Sequence, residues 1–303
     1  MKPFRRERLD SAPPALRRKL LAVRTASQIA ALVLVLAAAT LAHADDTSSK
    51  SCSQSALAAS AAKVDAARAT LLRIPIGDGM ETNVPPAAQQ AIAAMKSALG
   101  DFITEYMRCV SGQPDATKIQ KDISRFAHTL ALPKGQVIPN DKLPADFGKY
   151  GFELSFDVRT VQNPTLIGIT ADFSIECGED TVLFIFAPDG DSWQEVLHWQ
   201  SKPYDTVAGG TMAFDYGISP QDDAHGWYVV IHNVAPWCSS TWSSIRYQVL
   251  RPTADPLQPH VLLSNSDYMW WGNEDFGKVT VGKDEFALRF HSSSIDGGVH
   301  NRV

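Results

Sequence analysis

The sequence lacks a hydrophobic run long enough to cross a membrane. Its longest apolar stretch, residues 29–42, holds about 14 residues, whereas a membrane-spanning helix needs roughly 20. Several arginines precede this stretch, and Ala42-His43-Ala44 follows it. A basic start, a short apolar core and an A-x-A site are typical of a cleavable export signal. We therefore predict a signal peptide over residues 1–44, a secreted or periplasmic protein, and no membrane span after cleavage.

The sequence also lacks an excess of positive charge. The whole chain has 28 Lys and Arg against 33 Asp and Glu. Residues 1–44 hold 8 basic and 2 acidic residues, so the predicted mature chain keeps 20 basic and 31 acidic ones, a net charge of −11. Nucleic acids and anionic membrane surfaces attract basic proteins. We therefore expect neither to be a partner.

A recognisable catalytic or metal-binding motif is missing as well. The chain has no C-x-x-C or H-x-x-x-H pair, the spacings that zinc sites favour, so we predict no metal and no cofactor. Ser192 follows Gly190 and Asp191, a sequence that can hold a nucleophilic serine. Such a serine needs a histidine from an Asp-x-x-His block, but three residues rather than two separate Asp296 from His300. The Pro-Asp-Gly sequence at 188–190 is typical of a turn, which accounts for this segment. The catalytic residues, if there are any, stay unknown from the sequence.

The chain has four cysteines, all after the predicted signal: Cys52, Cys109, Cys177 and Cys238. An even number in an exported chain indicates disulfides, and four cysteines allow three pairings. Cys52 begins one predicted helix and Cys109 ends the next. An antiparallel hairpin of two such helices brings these ends together. We predict a Cys52–Cys109 bond, which leaves Cys177 and Cys238 for each other.

Residues 45–132 form a predicted helical segment. Apolar residues recur there at spacings of three, four and seven, the period of a helix with one buried face. The pattern predicts helices over about 51–72, 87–109 and 116–130. Prolines and glycines then predict a linker over 133–148.

Residues 149–303 form a predicted β-rich domain. Apolar and polar residues alternate from Phe152 onward, as they do in half-buried strands, and turn signals divide the strands into two larger groups and one shorter group. Gly178-Glu179-Asp180 is predicted to be a tight turn. The fold class expected is therefore α+β with segregated halves, in which an antiparallel β-sandwich-like domain follows the helices. Incomplete β-propeller blades are the alternative, since blades are also meanders of this length.

Tryptophan is the unusual feature, because all seven tryptophans lie between positions 193 and 271. Trp199 and Trp227 lie in predicted strands and are expected in the core. Trp242, Trp270 and Trp271 are predicted to lie at strand edges or in loops and are candidate ligand-binding residues, because exposed aromatic rings bind sugars and proteins. The hypothesis is a non-catalytic envelope binding module for a glycan or a protein. The alternative is an extracytoplasmic hydrolase of glycans or esters that uses carboxylates or Ser192.

Overall fold

The computed structural model describes most of the chain after residue 51. The described ranges are 52–74, 83–129, 145–146, 148–176, 178–202, 210–222, 226–235, 242–270, 277–290 and 300–302. They belong to one compact unit that spans Lys50–Val303. The predicted signal peptide, most of the predicted linker, Trp271, Cys177 and Cys238 lie outside the described residues.

Three helices come first: α1 (Gln54–Leu71), α2 (Pro86–Arg108) and α3 (Ala116–Phe126). The Ser53 hydroxyl accepts a hydrogen bond from the Ala56 N–H at the start of α1, and α2 begins at a proline, which suits a first helical turn. The helix predicted over 116–130 is too long by one turn. The α3 helix ends at Phe126 because His128 takes a positive φ of 45°, which a right-handed helix does not allow.

Helices α1 and α2 form the predicted hairpin. The Cys52–Cys109 disulfide joins the start of α1 to the end of α2 across 57 positions of sequence, so this part of the disulfide prediction is confirmed. At the other end of the hairpin, the buried guanidinium of Arg68 donates hydrogen bonds to the carbonyls of Gly151, Phe152 and His128. Arg68 thereby ties α1 to the end of α3 and to the segment that leads into the first strand.

Eleven strands follow among the described residues. They are β1 (Leu154–Gln162), β2 (Thr165–Ile175), β3 (Gly178–Asp189), β4 (Ser192–Gln200), β5 (Ala213–Ile218), β6 (Val229–Val234), β7 (Trp242–Arg251), β8 (His260–Trp270), β9 (Lys278–Val281), β10 (Phe286–Phe290) and β11 (His300–Arg302).

These strands form three antiparallel sheets. The inner sheet has the order β1-β2-β3-β4, the outer sheet β5-β6-β7-β8, and the third sheet β11-β10-β9. The three strand groups predicted from the sequence therefore correspond to three sheets. The predicted turn at 178–180 is wrong, because these residues begin β3 and pair with residues 173–175 of β2.

The layers are stacked in the order helices, inner sheet, outer sheet, third sheet. Successive side chains of a strand point to opposite faces, and β3 shows this. Phe184 and Phe186 share a hydrophobic cluster with the helices, whereas Leu183 and Ile185 share one with the outer sheet. On the far face of the outer sheet, residues such as Tyr247 pack against β10.

A close contact between the inner and outer sheets occurs at Gly168 in β2. The Tyr216 hydroxyl from β5 occupies the space that a Cβ at this position would need. A larger residue here would require the Tyr216 side chain to move.

A helical segment and antiparallel sheets are therefore confirmed. A propeller closes with at least about four blades, and the described strands form two four-stranded sheets and one three-stranded sheet with no closed ring. The helices share one core with the inner sheet. The boundaries of the predicted domains stay predictions.

Candidate functional site

A groove of about 1080 Å³ runs along helix α2. We call it the α2 groove. Lining residues from Gln89 to Arg108 of α2 form its floor, the first half of α1 flanks one side, and β4 with residues 255–257 flanks the other. It lies where the helical layer meets β4, the edge strand of the inner sheet.

Small side chains form part of the floor. Ala93, Ser97 and Gly100 of α2 line it at spacings of four and three, which places them on one helix face. Ala56 and Ala59 of α1 lie beside them. The opposite face of α2 carries its large buried side chains, such as Met95, Leu99 and Phe102, because that face packs on the inner sheet.

A hydrogen-bonded group of three side chains forms part of the β4 wall. His198 Nδ1 lies 2.9 Å from Glu195 Oε1, and the Thr104 hydroxyl donates to Glu195 Oε2 at 3.0 Å. The His198 and Glu195 side chains are only 12% and 15% exposed. When Glu195 is ionised and the imidazole is neutral, the Nδ1–H of His198 donates to Glu195 and Nε2 is left as an acceptor. Within the described part of the chain, Nε2 has no hydrogen-bond partner, so it is available to a ligand.

A β-bulge brings these residues together. Residues three apart in a regular strand point to opposite faces. The register of β4 against β3 shifts between Ile185 and Phe186, which pair with Leu197 and Glu195, so that Val196 is the extra residue. Glu195 and His198 therefore both face the helices, where His198 packs edge-on against Phe184 with ring centroids 4.7 Å apart.

A buried ion pair lies at the back of the groove. Lys96 Nζ lies 3.0 Å from Asp180 Oδ2 and donates to the carbonyl of Ser201 at 2.8 Å. Asp180 is fully buried in β3. Burial raises the pKa of Asp180 to about 7, although the ammonium of Lys96 acts in the opposite direction; the nearby Asp172 raises it further. This pair fixes α2 to the inner sheet.

The other lysine and arginine side chains at the groove are also paired. Lys63 Nζ lies 3.0 Å from Asp101 Oδ2, and Arg108 donates to Glu105 at 2.9 Å. Because each cation has an acidic neighbour, the groove has no strong net charge to attract a highly charged ligand.

The wall opposite α1 carries an apolar residue at its rim. The His198 N–H donates to the Pro256 carbonyl at 2.8 Å, which holds residues 255–257 against the edge of β4. Leu257 follows and is 64% exposed.

The structure separates the tryptophans into two groups. Trp199 and Trp227 pack against the cluster between the inner and outer sheets, as expected for core residues, and Trp199 Nε1 donates to Gln248. The backbones of Trp242 and Trp270 lie directly opposite each other at one end of the β7–β8 pair. No described residue of the α2 groove is a tryptophan, so the candidates Trp242 and Trp270 belong to another region, and Trp271 stays a prediction.

Sequence reasoning missed the groove and its polar residues. Lys96 offered a signal, since it lies among apolar residues of the predicted stripe, where a lysine needs a buried partner. Glu195 and His198 offered none, because the bulge that joins them leaves no mark in the residue pattern. Ser192, the possible nucleophile, is the first residue of β4 after the β3–β4 turn, and its hydroxyl donates to the Asp189 carbonyl.

The described residues contain no group of three His, Cys, Asp or Glu side chains arranged to hold a metal ion. Of the helices in the described part, none is long and apolar enough to cross a membrane. Comparisons with known protein families, with curated proteins and with solved structures gave no match.

Proposed function

We propose that this protein is a non-catalytic binding protein of the cell envelope, and that its α2 groove receives a helical segment of a partner protein. The observation that carries the proposal is an open groove of about 1080 Å³ along α2, whose floor includes the small residues Ala93, Ser97 and Gly100. Amphipathic helices bind in grooves of this kind.

The dimensions of the groove support a polypeptide ligand. Its volume is at the upper end of the range for small-molecule sites. The lining of α2 extends over about 29 Å, at a rise of 1.5 Å per residue, which suits an elongated ligand. Small residues at positions 93, 97 and 100 let a second backbone approach α2 closely.

The chemistry of the lining favours a protein over a glycan. Sugar rings usually stack on aromatic faces, and among the described residues that line the groove there is no Trp, Tyr or Phe. The groove offers instead the apolar side chain of Leu257 at its rim and an acceptor at His198 Nε2. Its ion pairs, Lys63–Asp101 and Arg108–Glu105, could open and form new ion pairs with charged side chains of a bound helix. These features suit a helix with one apolar face and polar edges.

Two further observations support the envelope location and the fold. The Cys52–Cys109 disulfide is typical of oxidising compartments, and the predicted signal peptide gives a route there. The hydrophobic cluster between the inner and outer sheets supports a sandwich-like arrangement of the β-rich part.

Two neighbouring alanines of α2 provide a matched test. Ala93 and Ala94 are both exposed, but only Ala93 lines the groove. The wild-type protein is used to capture partners from envelope extract, and the Kd of a purified partner is then measured by calorimetry. We expect Ala93→Trp to weaken binding by about tenfold or more and Ala94→Trp to change it by less than about twofold.

Equal effects of the two substitutions would contradict the groove as the binding site. Saturable changes of tryptophan fluorescence with a polysaccharide, without any protein partner, would instead support the glycan hypothesis at Trp242, Trp270 and Trp271.

The hydrolase alternative rests on one observation, the hydrogen-bonded group Thr104–Glu195–His198. A histidine oriented by a carboxylate is a suitable general base. Turnover of p-nitrophenyl acetate that is lost in His198→Asn and kept in Ser192→Ala would support a hydrolase that activates water. Absence of such turnover at any pH between about 5 and 9, the range in which histidine titrates, would exclude this role of His198 for esters.

A further inference from the structure

A second pocket, of about 320 Å³, lies on the outer sheet, on the face that the third sheet covers. We call it the Arg251 pocket. Val249 of β7, Leu262 and Leu263 of β8, and Phe286 of β10 supply its apolar walls. It is separate from the α2 groove, which lies on the helical side of the inner sheet.

The wall formed by the third sheet is held in place. The Tyr228 hydroxyl lies 2.9 Å from the Gly282 carbonyl and 3.0 Å from the Glu285 carbonyl. These two carbonyls flank the β9–β10 turn, and the Gly282 N–H also donates to the Glu285 carbonyl. Tyr228 itself lines the pocket, so the pocket is a formed cavity rather than a gap beside a free hairpin.

The charge at this pocket is unusual. Arg251 ends β7 and lines the pocket, and its Nε is buried without a hydrogen-bond partner among the described residues. No described carboxylate lies within ion-pair distance of Arg251, whereas Lys283, the other cation of the pocket, lies 3.4 Å from Asp222. A buried donor without a partner is unfavourable, and more so when it is charged.

We infer that the Arg251 pocket binds a small carboxylate that carries a branched or aromatic apolar body. The planar guanidinium presents N–H donors that match the two oxygens of a carboxylate, and the apolar walls would cover the rest of the molecule. The volume is at the lower end of small-molecule sites, so the ligand is about the size of phenylacetate. Asp284 also lines the pocket but is exposed, where water screens its charge.

Phenylacetate and its neutral analogue phenylacetamide provide the first test on the purified, disulfide-bonded protein. The two have the same shape and differ in charge. By NMR titration we expect a Kd for phenylacetate on the order of 1 mM, and binding of the amide weaker by about tenfold. Acetate, which lacks the apolar body, is expected to bind more weakly than phenylacetate.

Two cations of the same pocket provide the matched variants. We expect Arg251→Gln to weaken phenylacetate binding by about tenfold, and Lys283→Gln by less than about twofold, because Lys283 already has a partner. Equal binding of acid and amide, equal effects of the two variants, or no binding of phenylacetate up to about 20 mM would overturn the inference. The comparison of acid with amide needs only the wild-type protein, so it stands even if Arg251→Gln fails to fold.

Discussion

The inner and outer sheets have the same number of strands and the same meander order, but they are covered differently. The inner sheet lies between the helices and the outer sheet, and β3 within it has an unbroken run of buried residues from Asp180 to Phe186. The outer sheet ends in β8, where every described side chain except Asp267 is exposed. A strand covered on both faces can be apolar throughout, whereas an edge strand needs other protection.

The structure protects β8 by local geometry rather than by cover. Leu262 is the extra residue of a bulge opposite β7. Farther along, the N–H groups of Ser266 and Tyr268 donate to the side chains of Asn265 and Asp267. Bulges and locally satisfied donors make an edge a poor template for another strand. Both candidate sites lie near places where the cover of a sheet ends, the α2 groove beside β4 and the Arg251 pocket beside β8.

The helical cover of the inner sheet should depend most on the disulfide. Replacing both Cys52 and Cys109 by serine removes a cross-link over 57 positions, and we expect a loss of about 4 kcal/mol of unfolding free energy. Urea denaturation measures the loss. A change below about 1 kcal/mol would show that packing alone holds the hairpin on the sheet.

A leucine-to-alanine substitution should lower the unfolding free energy more in the inner sheet than in the outer sheet. Leu183→Ala removes a fully buried side chain of β3, while Leu263→Ala removes one that is 40% exposed in β8. We expect losses of about 3 kcal/mol and of less than about 1 kcal/mol. Equal losses would mean that β8 is covered in solution, for instance by a partner.

Asp180 of the inner sheet and His232 of the outer sheet should change the stability of the protein in opposite directions as the pH changes. Burial raises the pKa of Asp180 in the inner sheet from 3.8 to about 7. The folded protein therefore binds this proton more tightly than the unfolded chain does. The proton stabilises the fold at acidic pH, and this stabilisation is lost as the pH rises to about 7. Burial lowers the pKa of His232 in the outer sheet below its ordinary 6.5. The folded protein therefore favours the neutral imidazole. The stability that His232 contributes is present above pH 6.5 and is lost as the pH falls.

Two variants isolate these effects by denaturation at pH 5 and pH 8. Relative to wild type, Asp180→Asn should gain stability by on the order of 2 kcal/mol as the pH rises. His232→Gln should lose stability relative to wild type over the same range. Parallel pH profiles for either variant and the wild type would show that the group concerned does not couple folding to pH.

The smallest expected effect is at the contact between the sheets. The Tyr216 hydroxyl is buried without a hydrogen-bond partner among the described residues, and burial raises the pKa of this phenol. Tyr216→Phe removes an unsatisfied group while it keeps the ring, so we expect a gain of about 1 kcal/mol in thermal or urea unfolding. A loss of similar size would show that a water molecule satisfies this hydroxyl.

Much of the fold could be predicted from residue patterns, because helices and half-buried strands have different periods. The three predicted groups of strands correspond to the three sheets, and the Cys52–Cys109 bond followed from the predicted helical hairpin. The pattern failed at Gly178–Asp180, where β3 begins with residues that favour turns. Pairing with residues 173–175 of β2 overrides that local preference there.

The sequence by itself determined the periodic elements and the helical hairpin with its Cys52–Cys109 disulfide. Only the tertiary structure decided where polar groups meet. The bulge at Val196 places Glu195 beside His198, and folding brings Lys96 to Asp180 across 84 positions of sequence. Arg251 lines a pocket beside the third sheet with no partner for its buried Nε among the described residues. Such contacts depend on strand register and layer packing, which link residues far apart in the chain and therefore leave no local pattern.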